Sequence, residues 1–382
     1  MSGSLRDSAV PRRIEERHPD VRFLRFLLVF VPLALAAEWL LHAPALVFVF
    51  ACLGLLPLAG LMGEATEQLA RRTGERVGGL LNATLGNAAE LIITIVALRA
   101  GKIELVKASI VGSILGNLLL ILGFSLLVGG LKNGLQRFDS RAAGTASTMM
   151  LLSVIGLLIP TLFEIVHKVQ HHLPVLTESP DPLLDRLSLG VAGVLMLVYV
   201  LSLVFSLTTP SRGIAPEVGV SHREASSPEE SWSLGRTVGV LAFSTLATVV
   251  LSELLVGAVE PVVRRTGVSE VFLGIVLIPL VGNVAEHLVA VSTAAKNRME
   301  LSLAISLGSS QQIALFVAPL LVFVSLLFGK EMTLFFNPFE VAVLGVSVLI
   351  AGQIAADGES NWREGAQLLV VYAIVAMAFL WL

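Results

Sequence analysis

Cysteine and charge are scarce in this 382-residue sequence. Cys52 is the only cysteine, which excludes a disulfide within the chain and a zinc site built from several thiolates. Only 14% of the residues are charged and 55% are hydrophobic. A soluble domain carries about a quarter charged residues, so the composition predicts an all-α polytopic membrane protein. A net charge of -3 without a dense basic cluster argues against nucleic acid as a partner.

Apolar runs long enough to cross a lipid bilayer recur along the chain. About eleven are predicted, at 22–41, 44–63, 77–98, 105–129, 142–165, 187–207, 235–258, 271–295, 301–328, 338–356 and 362–382. We expect the first to be a retained helix, because no small-residue cleavage site accompanies it. Between the runs, residues 64–72 are predicted to form an interfacial helix, and residues 166–186 a loop.

Two of these runs contain one carboxylate each, inside nearly identical motifs. The motifs are GNAAE at 86–90 and GNVAE at 282–286, and Glu90 and Glu286 are the only Asp, Glu, Lys or Arg residues of their runs. An ionised side chain at the bilayer centre costs about 2.5–3.5 kcal/mol on insertion scales, so such a residue indicates a functional site. Asn87 and Asn283 precede the Glu by three residues and share its helix face. The pair of motifs predicts a two-sided cage for a ligand.

The two halves of the chain match each other in order. Glu67 and the RRTG sequence at 71–74 match Glu260 and the RRTG at 264–267, and the GNxxE motifs and the Gly-Ser pairs at 112–113 and 308–309 match at an offset of 196 residues. Each unit has about five helices, and an odd number inserts the second copy upside down, which places a substrate at the midplane between the halves. We therefore predict a 1 + 5 + 5 arrangement. Its parts are residues 1–43, a first repeat 44–207, a polar linker 208–233 and a second repeat 234–382.

Basic residues indicate the orientation. Counted over alternate connections, 18 of the 26 Lys and Arg residues fall on the side of the N-terminus and 8 on the other. The positive-inside rule then predicts a cytoplasmic N-terminus and an external C-terminus. The short connections favour a prokaryotic inner membrane.

Two facing carboxylates in a dry midplane repel, so in the absence of a cation one or both are expected to hold a proton. A divalent cation could replace those protons with little change in buried charge, as a cation/proton antiporter requires. Hard oxygen ligands favour Ca²⁺, which takes about 6–8 oxygens. Further oxygens could come from two asparagines, two hydroxyls and one amide, namely Asn87, Asn283, Ser113, Ser309 and Gln312. For these five residues, hydrogen bonding between helices is the simpler alternative role.

These motifs resemble the CAX branch of the cation/Ca²⁺ exchangers. GNAAE and GNVAEH, each followed by a Gly-Ser segment (GSILGN and GSSQQIALF), carry the likeness, which extends over residues 44–382. The resemblance implies Ca²⁺/H⁺ antiport by alternating access, with the family's Glu ligands at Glu90 and Glu286. It places the Asn ligands at Asn87 and Asn283, and the hydroxyl and amide positions at Ser113, Ser309 and Gln312. No cofactor is implied. The linker has four Glu against two Arg, which puts an acidic regulatory helix in doubt.

Several other polar residues have a functional and a plain interpretation. His287 points about 100° away from Glu286 on a helix, so it is a proton relay or a packing residue. Glu67, Glu253 and Glu260 form a possible entry path for cations, although solvated charges at helix ends are the simpler interpretation. His167, His171 and His172 are expected to be solvated in a loop.

Three other functions compete with Ca²⁺/H⁺ antiport. Exchange of the same cation against Na⁺ or K⁺ would be expected to place acidic residues in the second wall, where residues 112–117 and 308–312 are neutral. An intramembrane enzyme is disfavoured because no His-Glu zinc motif lies within a run. A passive channel is disfavoured because carboxylates that need neutralising suit occlusion better than conduction.

Overall fold

The computed structural model describes residues 21–174, 182–208 and 232–381. Helices account for nearly all of them, and the only strands in these ranges are β1 (Gln136–Arg137) and β2 (Glu359–Ser360), which pair antiparallel. The prediction of an all-α polytopic membrane protein is confirmed. Most of the predicted linker, residues 209–231, lies outside the described ranges.

The first half of the chain contains seven helices. They are α1 (Leu24–Leu41), α2 (Pro44–Thr73), α3 (Glu75–Leu85), α4 (Ala88–Arg99), α5 (Ile103–Asn133), α6 (Ser140–Gln170) and α7 (Pro182–Thr208). The second half contains six more. They are α8 (Leu234–Thr266), α9 (Glu270–Gly282), α10 (Val284–Ala295), α11 (Met299–Leu327), α12 (Pro338–Ala356) and α13 (Trp362–Trp381).

From α2 onward, the two halves contain the same succession of elements. Each has a helix of 30 or more residues (α2, α8), then a short pair broken in the middle (α3–α4, α9–α10). Next comes a helix with an internal π segment, at Gly116–Ile121 in α5 and Ile313–Val317 in α11. Two further helices complete each half. The repeat boundaries and the inverted orientation of the halves stay predictions.

Nine helices in the described ranges are long and apolar enough to span a bilayer, and α9–α10 would be a tenth if this bent pair crosses as one span. The remaining predicted run, 77–98, corresponds to the shorter pair α3–α4. The chain is an integral membrane protein. The count of eleven spans stays a prediction.

Two local predictions were wrong. Residues 64–72 do not form a separate interfacial helix, because α2 continues without a break to Thr73. Likewise α6 continues to Gln170, so His167 lies in a helix and not in a loop. In both cases polar residues extend a spanning helix beyond its apolar part, and the end of the apolar run does not mark the end of the helix.

Contacts between connections define two faces of the molecule. On the inner face, β1 pairs with β2 and Gln136 donates from Nε2 to the Ala294 carbonyl at 3.0 Å. On the outer face, Lys102 lies 3.7 Å from Glu260 and 3.5 Å from Glu270. The positive-inside prediction would make the inner face cytoplasmic.

The outer face contains a buried ion pair. Lys168 Nζ lies 3.0 Å from Glu164 Oε1, and both side chains are only 1% exposed. The lysine also lies over the Phe335 ring, 5.1 Å from its centroid. Phe335 belongs to the buried segment Met332–Phe336, whose backbone N–H groups donate to Ser188 and Thr161. The pair therefore holds α6 against the connection between α11 and α12.

Removal of one member of this pair should destabilise the protein strongly. Lys168→Met leaves the Glu164 carboxylate buried without its cation, which we expect to cost about 3–5 kcal/mol. Thermal unfolding in detergent measures the loss. Arg264→Ala breaks an exposed ion pair with Glu260 and serves as the control, with a melting temperature expected close to that of the wild type. Equal melting temperatures for the two variants would contradict a stabilising role for the buried pair.

Candidate functional site

The two GNxxE motifs interrupt their helices at the same place. α3 ends at Leu85 and α4 begins at Ala88, and α9 ends at Gly282 before α10 begins at Val284, with a bend of 67° between α9 and α10. Asn87 and Asn283 have non-helical backbone angles (φ -94° and -110°) and precede the new helices. The breaks place Glu90 and Glu286 in the first turns of α4 and α10, where a helix N-terminus favours negative charge.

Each glutamate lies beside the break of the other half. A Cβ atom on Gly282 would lie 3.5 Å from Glu90 Cβ, and one on Gly86 would lie 3.8 Å from Glu286 Oε1. The structure therefore brings Glu90 and Glu286 each to the helix break of the opposite half, and their joint role in a cation site stays a prediction. The small glycines allow this approach because they leave room for the opposite side chain.

The site is buried, and several of its oxygens have no hydrogen-bond donor. Glu90 is 1% exposed, and Glu286 is half-buried. Among the described residues, no partner is present for five shielded oxygen atoms, namely Glu90 Oε1 and Oε2, Glu286 Oε2, Asn87 Oδ1 and Ser113 Oγ. Buried polar atoms are normally satisfied. An unpartnered set of acceptors is therefore suited to a cation.

Gln312 orients one of these oxygens. Asn87 Nδ2 donates to Gln312 Oε1 at 2.6 Å. This bond fixes the orientation of the Asn87 amide, whose carbonyl oxygen Oδ1 has no hydrogen-bond partner among the described residues. The bond joins α4 of the first half to α11 of the second.

Asn117 belongs to the neutral segment 112–117, and the sequence analysis did not single it out as a site residue. Its Nδ2 donates to Ser309 Oγ at 3.1 Å, and its Oδ1 lies 3.3 Å from His287 Nε2. His287 thus contacts the site through Asn117.

The donor set is acidic and hard. Two carboxylates, amide oxygens and hydroxyls suit Ca²⁺ and similar cations better than soft metals. Within the described ranges, no three His, Cys, Asp or Glu side chains form a cluster. A cation here would therefore complete its shell with amide, hydroxyl, backbone or water oxygens.

Comparison with known proteins shows the family of this chain. The model of the sodium/calcium exchanger protein family matches residues 43–208 and 236–381. The chain belongs to the sodium/calcium exchanger family. Within this family, a Ca²⁺/H⁺ antiporter of Synechocystis sp. is 46% identical over 92% of this chain and 95% of its own length. The Ca²⁺/H⁺ antiporter ChaA of Bacillus subtilis is 39% identical over 91% of this chain and 96% of its own.

Solved exchanger structures have the same fold. The structure of native YfkE superimposes with a TM-score of 0.79 at 35% identity, covering 94% of this chain and all of the other. The H⁺/Ca²⁺ exchanger CAX gives a TM-score of 0.69 at 16% identity, over 94% of this chain and 91% of the other. The second likeness concerns the fold alone.

The three glutamates of the predicted entry path, Glu67, Glu253 and Glu260, each form an ion pair. Glu67 contacts Arg71 at 2.6 Å, and Glu253 lies 3.6 Å from Arg99. Glu260 contacts Arg264 and Lys102. Glu67 is half-buried, and Glu253 and Glu260 are exposed. Glu253 lies inside α8 and not at a helix end, and a role in cation entry stays a prediction. The ring of His167 in α6 packs edge to face against that of His171, which directly follows α6, with centroids 4.6 Å apart.

The hydrogen-bond chain predicts the tautomer of His287. Asn117 donates to Ser309, so its oxygen must accept from His287, which requires the proton on Nε2. ¹⁵N NMR of histidine-labelled protein in detergent measures the tautomer. His287→Gln identifies the signal by its loss, since the chain has seven histidines. A proton on Nδ1 would contradict the chain as described.

Proposed function

We propose that this chain is a secondary antiporter that exchanges Ca²⁺ for protons by alternating access. Its binding site is formed by Glu90 and Glu286, with Asn87, Asn283, Ser113, Ser309 and Gln312 as further ligands or their supports. Ca²⁺ and H⁺ are its substrates, and it needs no cofactor and is not an enzyme. The observation that carries the proposal is that each glutamate lies beside the helix break of the other half.

Charge balance explains why Ca²⁺ and protons would exclude each other. Two ionised carboxylates in a site of low dielectric are unstable without a counter-charge. Two protons or one divalent cation would each neutralise the pair, and both together would leave excess positive charge. The site is therefore expected to be neutralised in either state, and each neutral state can change conformation without leaving a bare charge in the membrane.

Two further observations favour this function. The relatives from Synechocystis sp. and Bacillus subtilis are named Ca²⁺/H⁺ antiporters and cover nearly the whole chain. In addition, Glu286 is more exposed than Glu90. A difference in exposure between the two glutamates supports alternating access.

The orientation of the chain in the membrane is inferred from the distribution of its basic residues. Its location is inferred from the short connections between the helices. With the inner face cytoplasmic, exchange would remove Ca²⁺ from the cytosol at the cost of proton entry. A prokaryotic inner membrane suits this direction, because that membrane maintains an inward proton gradient.

Neutralising either glutamate should abolish exchange. Glu90→Gln and Glu286→Gln retain the shape of the side chain and remove both the negative charge and the titratable proton. We expect neither variant to take up ⁴⁵Ca²⁺ into everted vesicles when a proton gradient is imposed.

Glu359→Gln is the matched control, because Glu359 forms an exposed pair with Arg137 at the inner face. It should transport like the wild type. Normal uptake by both site variants would reject the proposed site.

Coupling to Na⁺ or K⁺ can be separated from coupling to protons. In proteoliposomes, a pH gradient alone should drive ⁴⁵Ca²⁺ uptake by the wild type. A Na⁺ or K⁺ gradient without a pH gradient should drive none, since the wall around Ser113 and Gln312 adds no third carboxylate. Uptake driven by the Na⁺ or K⁺ gradient would replace the proposal with exchange against that ion.

A further inference from the structure

Two helices touch through their backbones on the outer side of the site. A Cβ atom on Gly112 of α5 would collide with the backbone of Ile275 in α9, and one on Gly274 would lie 2.5 Å from Ala108 Cβ. Ala108 and Gly112 are four residues apart, a spacing that lets helix backbones approach closely. We call this contact of Ala108 and Gly112 with Gly274 and Ile275 the outer seam.

The same residues recur in the other half. At the offset of 196 that aligns the two glutamates, Ala108 and Gly112 of α5 correspond to Ala304 and Gly308 of α11. Gly274 and Ile275 correspond to Gly78 and Gly79 of α3. We call these four residues the inner seam.

The inner seam is open in the structure. A Cβ atom on Gly308 would meet nothing within 4 Å, whereas its counterpart Gly112 has no room for one. The closest atoms to a Cβ on Gly78 belong to Ala70 of α2, and none belongs to α11. The helix α3 therefore packs on α2, while the equivalent part of α9 packs on α5.

Burial differs between the seams in the same direction. Ala108 is fully buried and Ala304 is half-buried. Leu273, beside Gly274, is 3% exposed, whereas its counterpart Val77, beside Gly78, is 49% exposed. Glu286, which lies against the break at the end of α3, is half-buried, and Glu90 is sealed. The outer seam is thus closely packed, and the inner seam is loosely packed and more exposed.

We propose that Gly78, Gly79, Ala304 and Gly308 form the seal that closes the site from the inner face when it opens to the outer face. In that state α3 leaves α2 and packs on α11, with the backbone contact that α9 now makes with α5. Gly308 is required because a side chain would keep the two backbones apart. This inference rests on the proposed function, since it assigns residues to the second state of the same transport cycle.

The test is a single methyl group that fits one state and not the other. Gly308→Ala has open space in the present structure, and alanine favours a helix over glycine. The variant should therefore fold and melt at or above the wild-type temperature. The closed inner seam cannot accommodate the methyl group, so proton-driven ⁴⁵Ca²⁺ uptake in proteoliposomes should fall by at least about tenfold.

Gly193→Ala is the matched control, because Gly193 lies in a helix, is exposed and also has nothing within 4 Å of a Cβ. It should transport like the wild type. The rise in melting temperature on adding Ca²⁺ should persist in Gly308→Ala, because binding from the inner face needs no closed seam. Transport by Gly308→Ala at the rate of Gly193→Ala would overturn the proposal, and so would loss of the Ca²⁺-induced stabilisation. Absence of exchange in the wild type would instead reject the proposed function.

A second measurement does not depend on Gly308. In a Cys52→Ala background, which has no other cysteine, Ala304→Cys should react with a membrane-impermeant maleimide added at the inner face. Ala108→Cys, at the matched outer position, should not react. The bulky adduct on Ala304→Cys should stop Ca²⁺ uptake by holding the inner seam open. Unchanged uptake by the fully labelled protein would contradict the proposed seal.

Discussion

The constraint on which this fold depends is the cost of ionising two carboxylates inside a membrane. Burying even one ionised group costs several kcal/mol, and the structure brings two together by breaking one helix in each half at a Gly-Asn pair. The breaks direct two helix N-termini at the acids and leave five shielded oxygens without hydrogen-bond donors. Two ionised carboxylates in such surroundings would need protons or a cation to neutralise them, and for this reason the proposed function links the occupancy of the site to its conformation.

The two glutamates could be predicted as site residues from the sequence because their motif occurs twice, at 86–90 and 282–286. An isolated glutamate in an apolar run costs free energy when it is ionised. Its recurrence in a second GNxxE motif indicates a function. Asn117 was not identified as a site residue because its contact with His287 and Ser309 exists in one half only. At the repeat offset Asn117 corresponds to Ile313, and His287 corresponds to Leu91. A comparison of the halves therefore offers no signal for this hydrogen-bond chain.

Helix ends were less predictable than helix cores. Glu67 and Arg71 are polar, and hydropathy ends the second run before them, yet α2 includes both and pairs their side chains. Similarly, Lys168 falls in a segment that composition assigns to a loop. Its position is determined by Glu164 one turn earlier and by the Phe335 ring from a distant connection. Such tertiary partners stabilise polar residues in a helix, and no local pattern reveals them.

The reciprocal support of the glutamates has a consequence for how this architecture could have arisen. Gly86 makes room for Glu286, Gly282 makes room for Glu90, and Asn87 is held by Gln312 of the opposite half. Neither half contains a complete site. If the halves are inverted as the repeat predicts, an ancestor with a single copy of the unit would have formed such a site only as a pair of chains inserted with opposite polarity. Gene fusion would then have fixed the two polarities in one polypeptide, after which the halves were free to acquire unlike residues such as Asn117 and His287.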